Sequence, residues 1–544
     1  MNNLLIKRKI NILFILAFVF FCSLTALAQQ SINRVTILPG EKWYGAATNE
    51  SHLMPFKNGY SLDLNNDVRG NQAAPLLLSI KGRYIWSDEA FAFKITGNEI
   101  LFDKSKKKII IEKPGKNLAE AYRAASKKHF PPTGKMPDEL LFSKPQYNTW
   151  IELIYDQNQT DILKYAHAII DNGFEPGVMM IDDNWAPYYG RFEFRKDRFT
   201  NAKAMIEELH ELGFKVMLWV CPFIRPDSEE ARFLMKKKWV VMDKENKENI
   251  TWKQTTKPAI IHWWNGFSMV MDFTNPDAVD WYQQQLDKLV KDYGIDGFKF
   301  DAGDPEYYTG TISYKDITPN EHTELWGLFG LRYPLNEYRA MWKRGGEPIA
   351  ERLRDKNHNW EDLQKLIPGM TVAGILGYPF ACPDMIGGGD FSSFIDVDAG
   401  KLDKDLIVRS AQCHALMPMM QFSVAPWRIL DAAHLDAVKK AVALRKEFTP
   451  LIIELTRQSA ISGEPVVRLM EYVFPNAGFE NCTDQFMLGN NILVAPILSK
   501  SNKRLVQLPA GVWKSAKGET FKGPQKINID AALDELPYYR LIKK

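Results

Sequence analysis

The sequence predicts a (β/α)8 barrel flanked by an N-terminal β-sandwich and a small C-terminal β domain. From about residue 147, short apolar runs alternate with amphipathic stretches of helical periodicity, the pattern of a parallel barrel. On either side of this region, short apolar runs are separated by turn-forming residues, which is typical of antiparallel sheets. The length of 544 residues exceeds what one hydrophobic core usually supports, so several domains are expected.

The first 28 residues have the features of a secretory signal peptide. A basic cluster at 7–9 precedes an apolar run over 12–24, and the small residues Ala26 and Ala28 fit cleavage after Ala28. The apolar run is shorter than the roughly 20 residues of a spanning helix, and no later run is long enough to cross a membrane. We therefore expect export across the inner membrane and a periplasmic or extracellular mature protein without a membrane span.

Three domains are expected after the signal peptide. Residues 29–145 form the predicted N-terminal β-sandwich, with strands near 61–64, 76–80, 100–102 and 109–112. Residues 146–449 form the predicted barrel, with strands near 178–181, 216–219 and 297–300 and helices near 162–172, 202–212 and 277–293. Residues 450–544, with apolar runs at 492–496 and 504–509, form the predicted C-terminal β-sandwich.

Composition excludes some functional classes. A formal net charge of +3 in so long a chain argues against an electrostatic nucleic-acid binder. Four cysteines remain after signal removal, too few and too scattered for a disulfide framework, although one bridge is an alternative. No His/Cys cluster has the spacing of a zinc site, so a structural zinc site is not expected. Neither a metal nor an organic cofactor is expected, because a pair of carboxylates suffices for the chemistry considered below. The 15 Trp and 20 Tyr residues suit surfaces that stack on sugar rings.

Several predicted barrel strands end in carboxylates or aromatic residues. The run 178–181 leads into Asp182 and Asp183, the run 216–218 into Trp219, and the run 297–300 into Asp301. Catalytic side chains gather at the C-terminal ends of barrel strands. Each residue alone could instead cap a helix or pack in the core. Together they predict one pocket whose carboxylates bind hydroxyl groups and whose aromatic faces stack on sugar rings.

A series of motifs occurs in a fixed order along the chain. They lie at 181–185, 189–192, 212–222, 263–266, 271–276, 296–304, 360–363, 383–388, 409–412, 484–489 and 494–496. In this order they resemble glycoside hydrolase family 31, the retaining α-glycosidases, over most of the mature length. The resemblance implies a barrel enzyme that cleaves α-linked oligosaccharides or glycosides.

The resemblance implies that Asp301 is the catalytic nucleophile. The family's nucleophile stands in a Lys-x-Asp-x-Gly-Asp setting, which here runs from Lys299 to Asp304. Lys299 lies on the same strand face as Asp301 and is expected to help hold it as an anion. Retaining hydrolysis needs a second carboxyl group as acid/base, about 5–5.5 Å from the first.

The resemblance implies Asp355 as the acid/base. In relatives an aspartate precedes the Trp of a Trp-x-Asp-Leu motif by five residues, which here gives Asp355. The usual Gly-Asp-Asn around it is replaced by Arg-Asp-Lys at 354–356, so Glu351 and Asp362 are alternatives. A substrate-contacting arginine lies 16 residues before the acid/base in relatives; Arg339 has this spacing, and Arg352 competes with it.

The resemblance also implies a set of sugar-binding residues. Asp182 is the first choice for binding sugar hydroxyl groups, with Asp183 close behind. The predicted walls of the pocket are Trp185, Trp219 and Trp264, each of which could instead be core. Asp384 is expected to contact substrate, although a proline precedes it where many α-glucosidases carry histidine. This substitution, with the Phe-Lys-Phe-Asp-Ala-Gly sequence at 298–303, moves the resemblance toward the α-galactosidase branch.

We therefore expect an exo-acting retaining α-glycoside hydrolase, with α-galactosidase ranked before α-glucosidase and α-xylosidase. Two other classes stay open. One is a secreted carbohydrate-binding protein without turnover on a hydrolase scaffold. The other is a polysaccharide lyase or transglycosylase with the same pocket. The expected partner is an α-linked oligosaccharide or glycoside and not a nucleic acid.

Overall fold

The computed structural model describes residues 33–244 and 257–544. The predicted signal peptide over 1–28 lies outside the described residues. No helix in the two described ranges is long and apolar enough to cross a membrane. The cysteines of the described chain are unbridged, and three of them, Cys221, Cys382 and Cys413, are buried.

The centre of the protein is the predicted barrel. Its eight strands in chain order are Gln146–Asn148, Val178–Ile181, Lys215–Val220, Gly297–Phe300, Asn336–Tyr338, Glu351–Arg352, Ala381–Cys382 and Gln421–Phe422. Each of the first six strands pairs in parallel with the next, and the eighth pairs with the first. A parallel bridge from Met385 to Gln421 closes the ring between the seventh and eighth strands. All C-terminal strand ends therefore meet at one rim.

Helices pack outside this ring after every barrel strand except the fifth, within the described chain. They are Gln159–Asp171, Ala202–Glu211, Glu229–Lys237, Pro276–Tyr293, Pro319–Gly330, Trp360–Gln364, Leu366–Ile375, Lys404–Ala415, Pro426–Ile429 and Ala432–Ser462. The three helices expected from the sequence are confirmed, with ends shifted by up to three residues. Their starts are set by side-chain caps, such as Asn158, whose side-chain oxygen accepts a hydrogen bond from the amide of Asp161.

Two antiparallel sheets form the N-terminal domain, as predicted. The first contains Arg34–Thr36, Glu99–Asp103, Ala92–Thr96 and Ser61–Asp63. The second contains Trp43–Ala47, Gln72–Ser79, Tyr84–Trp86 and Ile110–Glu112. The helix Leu118–His129 follows, and the short helices Leu140–Ser143 and Trp150–Leu153 flank the first barrel strand.

The fifth barrel strand is tied to this domain instead of to a helix. After it, the chain forms the short strand Met341–Trp342, which joins the second N-terminal sheet beside Gln72–Ser79. At the same place the Asn71 side chain donates hydrogen bonds to the carbonyls of Arg339 and Arg352, at 2.9 and 3.0 Å. The N-terminal domain therefore holds the ends of the fifth and sixth barrel strands.

Two small antiparallel sheets, one of three strands and one of two, lie at the rim in the loops after the third and fourth strands. Phe223–Ile224, Gly266–Val270 and Ile261–Trp263 form a three-stranded sheet whose hairpin turn carries Trp264. Met242–Asp243 pairs with Thr311–Ile312. Single-turn 3₁₀ helices at Thr48–Leu53, Pro305–Tyr308, Phe391–Ser393 and Ala399–Lys401 complete the loops. These segments surround the mouth of the barrel.

The C-terminal domain is one six-stranded antiparallel sheet. Its strands are Val467–Arg468, Phe486–Leu488, Ile492–Val494, Tyr538–Lys543, Lys503–Ser515 and Thr520–Asp530, in spatial order, with the short helix Met470–Val473 beside them. The preceding helix Ala432–Ser462 runs without a break across residue 449, at which the sequence places the end of the barrel. One helix thus belongs to the barrel at its start and leads to this sheet at its end.

We predict that Asn71→Ala destabilises the protein by about 1–3 kcal/mol, because two buried carbonyls would each lose a hydrogen-bond donor. The measurement is the free energy of unfolding from denaturant titration. The matched control is Asn98→Ala, since Asn98 is exposed. Equal stability of the two variants would contradict the proposed tie between the domains.

Candidate active site

A cavity of about 260 Å³ opens at the C-terminal rim of the barrel. We call it the catalytic cavity. Its lining residues are Trp150, Tyr155, Asp182, Asp183, Trp219, Trp264, Lys299, Asp301, Arg339, Arg352, Asp355, Asp390 and Phe391. Of the predicted site residues, all but Trp185 and Asp384 are in this set. The structure therefore brings residues from the ends of the first seven barrel strands, or from the loops after them, to one place.

Asp301 follows the fourth barrel strand directly and points into this cavity. Its Oδ2 accepts a hydrogen bond of 2.7 Å from the indole nitrogen of Trp219, and its Oδ1 accepts one of 2.7 Å from the amide of Ala302. The backbone then turns sharply at Gly303, whose φ is +77°. A side chain at this position would collide with the ring of Trp326, at 2.2 Å, so glycine is required.

Two cations keep Asp301 ionised. Arg339 Nε lies 3.0 Å from Oδ1 and Lys299 Nζ lies 4.0 Å from Oδ2. Burial alone would raise the pKa of Asp301, but the charges of Lys299 and Arg339 and the Trp219 hydrogen bond outweigh it, so the pKa lies below its usual value. Arg339 also pairs with the buried Asp304, which holds the guanidinium in place.

Lys299 is bound more closely to Asp182 than to Asp301. Its Nζ donates a hydrogen bond of 2.8 Å to Asp182 Oδ2, and both side chains are buried. The sequence predicts Lys299 as the cation that supports Asp301. In the structure Lys299 shares this task with Arg339, which is the nearer of the two.

Asp183 lies beside this pair and is held by neutral donors. Its Oδ2 accepts hydrogen bonds from the Tyr189 hydroxyl at 2.9 Å and from the Asn265 amide at 2.7 Å. Burial raises the pKa of Asp183 to about 7, and the charges of Asp182 and Asp301 add to the rise, although the Tyr189 hydrogen bond lowers it. At neutral pH this carboxyl can therefore hold or release a proton.

Asp355 faces the same cavity from the loop after the sixth strand. Its carboxylate pairs with Arg352, and its side chain is 38% exposed, whereas Arg352 is buried. The same guanidinium lies 2.8 Å from Asp384 and 3.3 Å from Glu337. Three carboxyl groups thus share one cation.

The pKa values of this group follow from burial. Burial raises the pKa of Asp384 to about 7; Arg352 lowers it and the charge of Asp355 raises it further. Burial also raises the pKa of Glu337, against the charges of Arg352 and Lys299. A proton can therefore be kept close to Asp355 near neutral pH.

Trp185 and Asp384 do not reach the catalytic cavity. Trp185 is buried, and its indole nitrogen donates a hydrogen bond of 2.8 Å to the Trp219 carbonyl. Asp384 is fully buried and accepts hydrogen bonds from the amides of Lys356 and Gly389. Its φ of +109° is strained for a residue with a side chain, and these bonds hold it there. Both residues position their neighbours.

The two alternatives for the acid/base lie outside the cavity lining. Glu351 is buried in the sixth strand, where it accepts a hydrogen bond of 2.7 Å from Gln72. Asp362 accepts hydrogen bonds from the amide of Asn357 at 2.7 Å and from Lys365 at 2.7 Å. Both carboxylates are occupied by structural contacts, so the geometry favours Asp355.

Four lining residues were not expected from the sequence: Trp150, Tyr155, Asp390 and Phe391. Trp150 comes two residues after the first barrel strand, and a search for aromatic residues behind that strand would have found it. Asp390 and Phe391 lie eight or more residues beyond the seventh strand, and no strand-end signal marks them. Trp264, which was expected, is half exposed, with the Arg339 guanidinium 4.8 Å from its ring centre.

The arrangement suits acid/base and nucleophilic chemistry on a sugar. An ionised carboxylate and a second carboxyl group with a proton source face one cavity that also carries aromatic faces. In the described part of the chain, no three His, Cys, Asp or Glu residues are grouped so that they could hold a metal ion.

Family models and curated relatives all place this chain in the same protein family. Residues 141–455 match the profile of the Glycosyl hydrolases family 31 TIM-barrel domain, and residues 463–540 match the Glycosyl hydrolase family 31 C-terminal domain. The Myogenesis-regulating glycosidase of Mus musculus is 32% identical over 444 residues, covering 78% of this chain and 60% of that protein. Alpha-glucosidase 2 of Bacillus thermoamyloliquefaciens is 25% identical over 416 residues, covering 70% and 50% respectively.

The fold is also that of a solved structure. A GH31 dextranase from Flavobacterium johnsoniae complexed with glucose superposes with a TM-score of 0.81 at 19% identity, covering 93% of this chain and 66% of the dextranase. The chain spans between half and three fifths of the length of the two curated relatives named above.

We predict that Asp183→Asn flattens the pH dependence of stability between pH 4 and 7. The usual pKa is 3.8 and the folded value is about 7, so in this window the folded state binds more protons than the unfolded state. The contribution of Asp183 to the stability of the natural protein therefore falls as pH rises, on the order of 4 kcal/mol over about three pH units.

The measurement is the free energy of unfolding at several pH values, for the natural protein and for Asp183→Asn. The control is Asp171→Asn, since Asp171 is an exposed carboxyl on the barrel's outer side. Parallel curves for the natural protein and Asp183→Asn would show that Asp183 does not take up a proton in this range.

Proposed function

This chain belongs to glycoside hydrolase family 31, and from that premise we propose that it is an exo-acting α-glycosidase that works with retention of configuration. The observation that carries the proposal is that Asp301 and Asp355 line the same cavity. Retaining glycosidases need such a pair, one carboxylate to attack the anomeric carbon and one acid to protonate the departing oxygen.

In the first step Asp301 attacks the anomeric carbon while Asp355 protonates the glycosidic oxygen. Asp301 is suited to attack because Lys299 and Arg339 hold its pKa below the usual value. The cluster around Arg352 keeps a proton near Asp355, since burial raises the pKa values of Asp384 and Glu337. The leaving group departs with the proton, and the sugar stays bound to Asp301 as an ester.

In the second step Asp355 acts as a base toward water. Formation of the ester removes the negative charge of Asp301, and the freed site beside Asp355 admits a water molecule. Asp355 takes a proton from this water as its oxygen attacks the anomeric carbon, and Asp301 leaves as a carboxylate. The product then has the configuration of the substrate.

The size of the catalytic cavity supports action on one terminal sugar. Its volume of about 260 Å³ lies below the roughly 300–1,000 Å³ of drug-sized pockets. Asp182 and Asp183 offer carboxyl oxygens to sugar hydroxyl groups, and Trp219 and Trp264 offer aromatic faces. We propose that the substrate is an α-linked oligosaccharide or glycoside, which the protein encounters after its own export from the cytoplasm.

For the sugar itself we propose galactose. The basis is the proline at position 383 and the Phe-Lys-Phe-Asp-Ala-Gly sequence at 298–303, which resemble the α-galactosidase branch. Glucose is the second candidate and fits the relatives at least as well, because several curated relatives are named alpha-glucosidases and the solved neighbour is a dextranase complexed with glucose. The two sugars differ in whether O4 is axial or equatorial, and xylose, which lacks the C6 group, is the third candidate.

We predict that Asp301→Ala and Asp355→Ala each lower turnover by at least about 10²–10⁴-fold. Azide should restore turnover of both variants on substrates with an activated leaving group, and the two azide products should have opposite anomeric configurations. Asp301→Ala should give the β-glycosyl azide, since azide replaces the nucleophile directly. Asp355→Ala should give the α-glycosyl azide, since azide attacks the glycosyl-enzyme. Nuclear magnetic resonance of the products distinguishes the two.

The comparison variants are Glu351→Ala and Asp362→Ala. Azide rescue in either of them, combined with full activity in Asp355→Ala, would transfer the acid/base role away from Asp355. Full activity in Asp301→Ala would contradict the proposed mechanism.

We predict release of nitrophenol from one α-linked p-nitrophenyl glycoside, with galactoside first and glucoside or xyloside next, and from no β-linked one. The reason is that the nucleophile and the acid occupy fixed sides of the cavity, so only one anomer places its leaving group toward Asp355. No release from any α-glycoside would favour a carbohydrate-binding protein without turnover, and product analysis with an added sugar acceptor separates hydrolysis from transfer.

A further inference from the structure

A second cavity of about 270 Å³ lies directly beside the catalytic cavity. One wall is the N-terminal 3₁₀ segment Thr48–Leu53, and the other is the barrel loop over 353–357. Asp355 and Asp390 line both cavities. If Asp355 protonates the glycosidic oxygen, the leaving group is bound next to Asp355, and the second cavity is the further space that Asp355 lines.

Most acidic side chains of the second cavity already have cationic partners. Glu50 lies 2.9 Å from Arg69. Asp362 lies 2.7 Å from Lys365. Asp355 is paired with the buried Arg352. Asp390 has no cationic partner within the described chain, and its Oδ1 accepts hydrogen bonds from the amide and hydroxyl of Ser392.

Arg354 is the guanidinium of this cavity, and among the described residues it has no carboxylate partner. It is exposed, and no carboxylate of the described residues lies within 4 Å of it as an ion pair. The charge of Arg354 lowers the pKa of Glu306, which burial and the charge of Asp304 raise. Lys356, two residues later, adds an ammonium group, which donates a hydrogen bond to the Arg354 carbonyl.

A second guanidinium stands close to that of Arg354. A methyl group on Gly70 would lie 3.7 Å from Nη1 of Arg354 and 3.7 Å from Nη1 of Arg339. Gly70 also has a φ of +66°, so a larger residue would be strained there. The absence of a side chain leaves the space between the two guanidinium groups open.

We propose that the second cavity binds the leaving group of the substrate and that it selects an anionic leaving group, with Arg354 as its counter-ion. The inference rests on the proposed function and adds the class of substrate: an α-glycoside whose leaving group is an acidic sugar or another carboxylate-bearing unit. A guanidinium binds a carboxylate through two parallel hydrogen bonds, which fixes orientation as well as adding affinity. Arg354 and Lys356 flank the acid/base, so a carboxylate held there places the glycosidic oxygen next to Asp355.

The experiment compares two disaccharides that share the terminal sugar accepted in the glycoside panel. One ends in glucose and the other in glucuronate, which differ only at C6. The kcat/KM ratio of the acidic to the neutral disaccharide is measured for the natural protein, Arg354→Gln and Arg354→Lys. The difference in intrinsic reactivity between the two leaving groups is the same for every protein, so it cancels when this ratio is compared between the natural protein and its variants.

We predict that the kcat/KM ratio of the acidic to the neutral disaccharide falls about tenfold in Arg354→Gln. Tenfold corresponds to the lower end of the energies of hydrogen bonds to charged groups, as expected at an exposed site. Arg354→Lys should keep part of the preference, since it keeps the charge. The ratio for the natural protein should also fall as salt is added, because exposed charges are screened. Arg232→Gln, at an exposed arginine on the outer helix Glu229–Lys237, is the control and should keep the natural ratio.

A ratio that is the same in the natural protein and Arg354→Gln, with both disaccharides cleaved, would overturn the inference and leave the proposed function intact. No cleavage of either disaccharide or of any p-nitrophenyl α-glycoside would overturn the proposed function and the inference with it. A thermal unfolding midpoint of Arg354→Gln close to the natural one shows that the comparison is made between folded proteins.

Discussion

The balance of buried charge at the barrel rim is the constraint on which the site depends. Three cations, Lys299, Arg339 and Arg352, lie among carboxyl groups that are almost entirely removed from water. Transfer of an unpaired charge to such a place is costly, so each cation must keep its partners at hydrogen-bond distance. Lys299 and Arg339 both lie against Asp301, whereas Arg352 alone serves three carboxyl groups. The pKa of Asp301 is therefore held below its usual value, while burial raises the pKa of Asp384 beside Arg352 to about 7.

The same constraint explains why the N-terminal domain is part of the site. Arg339 and Arg352 follow or lie in the fifth and sixth strands, which are only three and two residues long. Strands this short fix few side chains by their own hydrogen bonds. Asn71 and the paired strand Met341–Trp342 supply the missing restraint from outside the barrel. The domain that shapes the second cavity therefore also aligns the arginines of the first.

The sequence predicts the parts of the fold that have a strong local pattern. The second, third and fourth barrel strands are buried apolar runs of four to six residues, and Asp301 was located because such a run ends at it. The fifth to eighth strands have only two or three residues, and the fifth and sixth carry Glu337, Glu351 and Arg352, so no apolar pattern marks them. Asp355 can be identified from the sequence only by its spacing of five residues to the Trp-x-Asp-Leu motif at 360–363. Asp390 lies in a long loop, and only tertiary structure brings it to the cavity.

The helix Ala432–Ser462 has a consequence for how this protein can change over evolution. Its 31 residues extend about 46 Å at 1.5 Å per residue. Its N-terminal part belongs to the barrel, and its C-terminal end leads into the C-terminal sheet. Domains are usually exchanged between proteins at flexible linkers, where few contacts cross. Here the joint is a continuous helix, and a break within it would interrupt the hydrogen bonds of both sides. The barrel and its sheet should therefore be inherited together, and new domains should be gained at the two ends of the chain or in its rim loops.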